Sequence, residues 1–244
     1  MLSEKAFFKI RPVLVGEFGP VREDVKFRGG NPSEGNVVPS YLFYLESKEH
    51  RVVVDTGFDF SKIPPRLANL QYKGRDISQV LEEEGIDPKA VDFVICTHLH
   101  WDHVGNVRVF ERAKVVCQRS EVAWALLPPF WEIGYEKEPL ESLWKAIDRL
   151  VVIDGEAVLA RGLSVRKVGG HTPGSQVVEA ETVTGKVIIA GDLVMCLENF
   201  EKDWPIGLFW SLPECIEGMK WLKRQEALVL PGHDWKVLSM GSIG

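Results

Sequence analysis

Five of the six histidines in this 244-residue chain fall within three short motifs, and any fold it adopts must bring those motifs together if they work as one site. The string T-H-L-H-W-D-H carries His98, His100, Asp102 and His103. G-G-H-T-P-G-S carries His171, and P-G-H-D near the C-terminus carries His233. Asp192 lies between the last two, in V-I-I-A-G-D. Five imidazoles and two carboxylates exceed the ligand set of one tetrahedral ion, so the count points to two divalent metals. Histidines at i and i+2 on an extended or turning segment can share an ion, as His98 and His100 would. Asp102 and His103 lie further on and can face a second ion. Neither pair completes a coordination sphere alone, so His171 would close the first and His233 the second. Asp192 can bridge both with its two oxygens. This donor set suits Zn²⁺ and also accepts Fe²⁺ or Mn²⁺.

The remaining pattern describes what carries these motifs. Tyr41 to Glu46 and Arg51 to Asp55 read as strands joined by the turn S-K-E-H, which leaves His50 a solvated turn residue. Gly19 to Ser40 is rich in Gly, Pro and charge and reads as a functional lid unless part of it pairs as a hairpin. Asp76 to Glu84 reads as a helix capped by Asp76 and ended by Gly85. Strands are expected at Val91 to Cys96, Ala113 to Gln118, Leu163 to Val168, Gln176 to Ala180, Lys186 to Ala190 and Leu228 to Leu230. Leu140 to Arg149 reads as a helix. Another starts at Ser211, with Ser211 and Glu214 as a capping box and Leu212, Ile216, Met219 and Leu222 on one face. Each metal motif begins where a strand ends. With no linker or break in composition, the pattern predicts a single α/β domain over residues 1–244, two packed sheets with helices outside.

Bulk properties exclude several classes. A net charge of −6 argues against a broad nucleic-acid surface. No run approaches a membrane span, and the N-terminus has no signal-type apolar core, so a cytoplasmic location is the expectation. Cys96, Cys117, Cys196 and Cys215 show no C-x-x-C pairing and read as reduced thiols, mostly buried.

The strings D-T-G (Asp55 to Gly57), T-H-L-H-W-D-H, G-G-H-T-P-G-S, A-G-D and P-G-H-D resemble, in order and spacing, the metallo-β-lactamase superfamily. The resemblance covers nearly the whole chain and implies an αβ/βα sandwich with metals at one edge between the sheets. It implies His98, His100 and His171 on one metal, Asp102, His103 and His233 on the other, and Asp192 between them. Asp55 would sit beneath the metals or else simply shape the turn into Gly57. Within the superfamily the layout is most similar to the N-acyl homoserine lactonases, through P-S-Y-L-F-Y-L-E before D-T-G and the ending P-G-H-D. That group commonly places a tyrosine three residues after the bridging aspartate, where this chain has Met195, and a thioether cannot donate a hydrogen bond.

The chemistry so implied is attack on a lactone or ester carbonyl by a hydroxide shared between two ions, with Asp192 or Asp102 moving the proton to the leaving oxygen. Leu126 to Tyr135 and Phe200 to Trp210 are unusually aromatic. Phe130, Trp131, Met195, Phe200, Trp204 and Phe209 are therefore candidates for the wall of a pocket that takes a small molecule with an apolar portion. Core packing or a homodimer interface is the alternative role for these segments. Trp101 is expected to pack beneath the metals, and Cys196 to be a packing residue. Two other enzyme classes share much of the ligand set. One is a metal-dependent phosphodiesterase or nuclease, which would want a basic RNA-binding arm that this chain lacks. The other is an iron-dependent sulfur dioxygenase.

Overall fold

The computed structural model describes residues 7–63, 65–130, 132 and 134–244. Twelve strands form two sheets among these residues. The first contains β1 (Lys9–Arg22), β2 (Gly35–Glu46), β3 (Arg51–Val54), β4 (Gln71–Gly74), β5 (Phe93–Ile95), β6 (Lys114–Gln118) and β7 (Leu150–Ile153), in the order β4-β1-β2-β3-β5-β6-β7. The second contains β8 (Glu156–Ala160), β9 (Leu163–Lys167), β10 (Gln176–Thr182), β11 (Gly185–Gly191) and β12 (Ala227–Pro231), in the order β12-β11-β10-β9-β8. Both sheets are mixed: β3, β5, β6 and β7 run parallel, as do β11 and β12, and the other neighbours are antiparallel. The helices are α1 (Glu23–Lys26), α2 (Ile77–Glu83), α3 (Trp101–Val104), α4 (Arg119–Leu126), α5 (Lys137–Trp144), α6 (Leu197–Glu201), α7 (Leu212–Lys223) and α8 (Lys236–Ser239).

The period-two alternation of side chains sorts each central strand between two cores. On β2, Tyr41, Phe43 and Leu45 point between the sheets, while Leu42 and Tyr44 point to the helix-covered side of the first sheet. On β11, Val187 and Ile189 face the first sheet, and Ile188 and Ala190 face α7. Strands buried on both faces read as continuous apolar runs, which is why V-I-I-A and V-V-V were legible as strands. The result is helix, sheet, sheet, helix: the αβ/βα sandwich.

Several expectations change in detail. Gly19 to Ser40 is not a structureless lid. Its two ends pair, Val21 opposite Asn36 and Arg22 opposite Gly35, in a long β1–β2 hairpin. Pro12, Gly16, Gly19 and Pro20 hid β1, and the ladder shifts register between Leu14 and Gly16 and between Phe18 and Val21. The helix expected from Leu140 starts earlier, at Lys137, and ends at Trp144, with a short 3₁₀ turn over Ile147–Arg149. On α7, Ser211 accepts from the Glu214 N–H as expected, but the Glu214 carboxylate leaves the cap to accept from Gly170 N–H at 3.0 Å. Its buried face is Cys215, Gly218, Met219 and Leu222; Ile216 is exposed. No helix among the described residues is long and apolar enough to cross a membrane.

Candidate metal centre

The strand ends place the motifs. β5 delivers His98, β9 leads into His171, β11 ends one residue before Asp192 and β12 two residues before His233. All seven candidate ligands are buried, yet their polar atoms converge. Three groupings each bring one atom per residue within 4.8 Å of the others: His98, His100 and His171; His98, His103 and Asp192; and Asp102, His103 and His233. The first and third are the sets read from the motifs. The second ties them together through Asp192. Its Oδ1 lies 3.2 Å from His233 Nε2 and 3.4 Å from His103 Nε2, while Oδ2 lies 3.6 Å from His171 Nε2. One carboxylate oxygen thus faces each side.

Ring orientation follows from what each Nδ1 can bond. A carbonyl oxygen only accepts, so His171 Nδ1 donates to Leu208 O and His233 Nδ1 to Pro39 O, both at 2.8 Å. His103 Nδ1 donates to Asp55 Oδ2 at 2.8 Å. His98 Nδ1 lies 3.1 Å from Thr97 Oγ1, whose own proton goes to Asp55 Oδ2. In the neutral form of these four histidines Nε2 is therefore the acceptor nitrogen, and it is aimed inward. The Nε2 atoms of His103 and His233 face each other at 3.3 Å, close enough to share one proton or to face one ion. His98 Nε2 and Asp192 Oδ1 are buried with no hydrogen-bond partner among the described residues. The donor set thus fits divalent metal, and the fit lies in orphaned, converging acceptors.

Electrostatics separate the two halves. Burial, with help from neighbouring imidazoles, pushes His98 and His100 well below the usual histidine range and keeps them neutral, the form that binds metal. Burial acts in the same direction at His103 and His233. There the carboxylates win: Asp55, Asp192 and Asp102 raise His103 well above its ordinary value, and Asp192 and Asp102 raise His233.

Asp55 is a buried residue in the left-handed region, φ 54°, a conformation L side chains adopt at a cost. It is held there by Thr97, whose N–H and O–H donate to its two oxygens at 2.8 and 2.7 Å, and by His103. The turn and the orientation of His103 are one device, because the same carboxylate that Thr97 holds in the turn accepts from the His103 ring.

The aromatic candidates separate. Phe130 is 88% exposed on the loop after α4, and Trp131 lies outside the described residues. Phe200 does not line the ligand cluster. It packs, partly buried, against the core between the second sheet and α7, beneath the Lys223 ammonium. Trp204 stacks on Phe27, with its indole N–H donating to Arg28 O, and so ties the α6 loop to the β1–β2 connection. Met195 and Phe209 pack with Ile206 and Cys215. What Met195 gives the site is its carbonyl, which accepts from His233 N–H at 2.7 Å. Cys196 caps α6 through Asn199, and burial raises its thiol. Trp101 is buried against Phe18, Phe58 and Tyr72, and Phe18 in turn touches His233 edge-on. His50 is a half-buried turn residue 3.3 Å from Asp92.

Sequence reading missed several supports: Thr97, the carbonyls of Pro39 and Leu208, Glu121, Tyr135 and Gly134. Carbonyls carry no residue signature, and a lone Glu or Tyr in a helix or loop gives no motif. Gly134 has a clear reason to be glycine, since a Cβ there would fall 2.2 Å from the His100 ring. Gly134→Ala is therefore expected to displace His100 and weaken the His98–His100–His171 side by about 10–100-fold in metal affinity, as loss of an orienting contact does. Titration with zinc against a competing chelator would show it. An alanine variant that binds as tightly as the parent would mean the ring relaxes freely.

The metallo-beta-lactamase superfamily description matches residues 35–233, and the chain belongs to that superfamily. An N-acyl homoserine lactonase of Bacillus sp is 27% identical over 219 residues, which is 83% of this chain and 84% of the relative. The lactonase AttM of Agrobacterium fabrum is 27% identical over 163 residues, 62% of this chain and 60% of AttM. Among solved structures, a variant of Bacillus thuringiensis AiiA with N-decanoyl-L-homoserine at its active site superposes with a TM-score of 0.82. It is 24% identical, with 97% of this chain and 96% of that one covered. AidC, described as a dizinc quorum-quenching lactonase, superposes with a TM-score of 0.75 at 16% identity, covering 95% of this chain and 89% of its own. These superpositions speak to the fold.

Proposed function

We propose that this chain is a dinuclear metal hydrolase, with zinc the favoured ion, acting on a lactone or activated ester that has an apolar portion. The observation that carries this reading is the convergence of five imidazoles and two carboxylates, with buried acceptors that have no hydrogen-bond partner among the described residues. The names of the curated relatives support the lactone in particular. Bound divalent ions would supply Lewis acidity toward a carbonyl and a water of lowered pKa. The residues do the rest. His98, His100 and His171 would hold one ion, Asp102, His103 and His233 the other, and Asp192 would touch both. Asp55 keeps His103 in the tautomer that presents Nε2. Asp192 and Asp102, both within 4 Å of the inward imidazole nitrogens, are the carboxylates placed to take a proton and return it to the leaving oxygen.

Purified protein loaded with zinc is expected to open N-acyl homoserine lactones, and to prefer longer acyl chains. Each methylene buried contributes about 0.8 kcal/mol, so two added carbons give a gain in kcat/KM on the order of tenfold at most. A panel of lactones, esters, thioesters and phosphodiesters decides the class. Inert lactones beside a rapidly cleaved phosphodiester would replace the lactonase reading with the phosphodiesterase one. Oxygen uptake with a persulfide and iron alone would replace it with a sulfur dioxygenase.

A further inference from the structure

Glu121 belongs to none of the metal motifs, yet four donors from three segments converge on it. It is 1% exposed, in the first turn of α4. Leu99 N–H donates to Oε1 at 2.9 Å and Tyr135 O–H to the same oxygen at 2.6 Å. Thr172 O–H donates to Oε2 at 2.7 Å and Gly174 N–H at 3.0 Å. Leu99 stands between His98 and His100, and Thr172 directly follows His171. Tyr135 sets its ring edge-on against His100, centroids 4.8 Å apart. Every donor is thus one residue or one ring contact from a member of the His98–His100–His171 set, apart from Gly174, which belongs to the same loop as His171. The packing leaves no slack. A Cβ on Gly174 would fall 2.3 Å from Glu121 N, and Ser120 Oγ donates to Pro173 O at 3.0 Å.

We propose that Glu121 is a positioning residue that clamps the His98–His100 segment to the His171 loop and so sets the geometry of one ion position, not both. The inference rests on the two-ion reading above. An ionised carboxylate suits the place because it only accepts, and two oxygens can take all four donors. A glutamine of the same shape would turn its NH₂ group toward two of them. Thr172 O–H can rotate to accept, but a backbone N–H such as that of Gly174 cannot, and one buried donor is left unpaired.

The test isolates each ion position. His233→Ala leaves the first as the intact one, and His98→Ala leaves the second. Zinc affinity is measured by competition with a chromophoric chelator, with and without Glu121→Gln. E121Q is expected to weaken zinc by about 10–100-fold in the His233→Ala background. In the His98→Ala background the change should stay within about twofold, the additivity expected of independent sites. Tyr135→Phe removes a single donor and should weaken the first position in the same direction by less. It carries the same comparison if E121Q does not fold. Equal losses in both backgrounds would make Glu121 general support and overturn the clamp, as would no loss in the first. A parent chain that takes up a single zinc ion would instead sink the two-ion reading. The clamp would then stand only if E121Q weakens that one ion tenfold or more.

Discussion

Asp192→Ala is expected to lower kcat/KM by at least about 10³-fold, beyond the 10–100-fold that loss of an orienting partner costs. The reason is geometric. The two oxygens of Asp192 face opposite halves of the cluster, Oδ1 toward His103 and His233 and Oδ2 toward His171. On the proposed two-ion reading, removing it would take a ligand from both positions and leave the nearby imidazoles without a counter-charge. Burial raises the Asp192 carboxyl, but His233 and His103 outweigh it and hold it well below the usual carboxylate range, so it is an anion in the folded protein. Elemental analysis should find both ions depleted, whereas His233→Ala should empty mainly the Asp102–His103–His233 side. An alanine variant that keeps two ions and a tenth of the parent activity would remove Asp192 from the bridge.

Stripping the metal should cost nearly as much in stability as Asp192→Ala costs in rate. Ions that bind only the folded chain add about 4 kcal/mol each when free metal stands at roughly 1,000 times Kd. For a protein of this size one kcal/mol moves the midpoint by about 2–4 °C, so removal of a single tightly held ion should lower it by roughly 8–16 °C. The physical source is the cluster of converging nitrogens and carboxylate oxygens, which a divalent ion would hold together only in the folded chain. Calorimetry before and after chelation, with re-addition of zinc to restore the midpoint, measures this. An unchanged midpoint after verified metal removal would show that the site is preformed without strain and binds weakly.

Eight strands were legible in advance, β2, β3, β5, β6, β9, β10, β11 and β12, most of them because apolar residues dominate the run whatever the register. β1, β4, β7 and β8 were not. Pro and Gly interrupt β1, and β7 and β8 are half-buried edge-side strands whose pairing only the sheet decides. Aromatic residues were the weakest guide. Phe200, Trp204 and Phe209 looked alike as a run, yet one packs under α7, one on Phe27 and one on Met195. Burial of a large ring favours whichever apolar surface is near, and nearness is a tertiary property.

What the chain determined by itself is local chemistry: which side chains can ligate, that Asp76 and Ser211 cap helices, and that each motif follows a strand. Such features depend on neighbours within a few residues and are written in the string. Tertiary structure alone decided which nitrogen points inward in His103, His171 and His233. That choice is made by Asp55, Leu208 O and Pro39 O, 37 to 194 residues away from the ring they orient. A backbone carbonyl has the same chemistry in every residue, so no sequence pattern marks the one that will hold an imidazole.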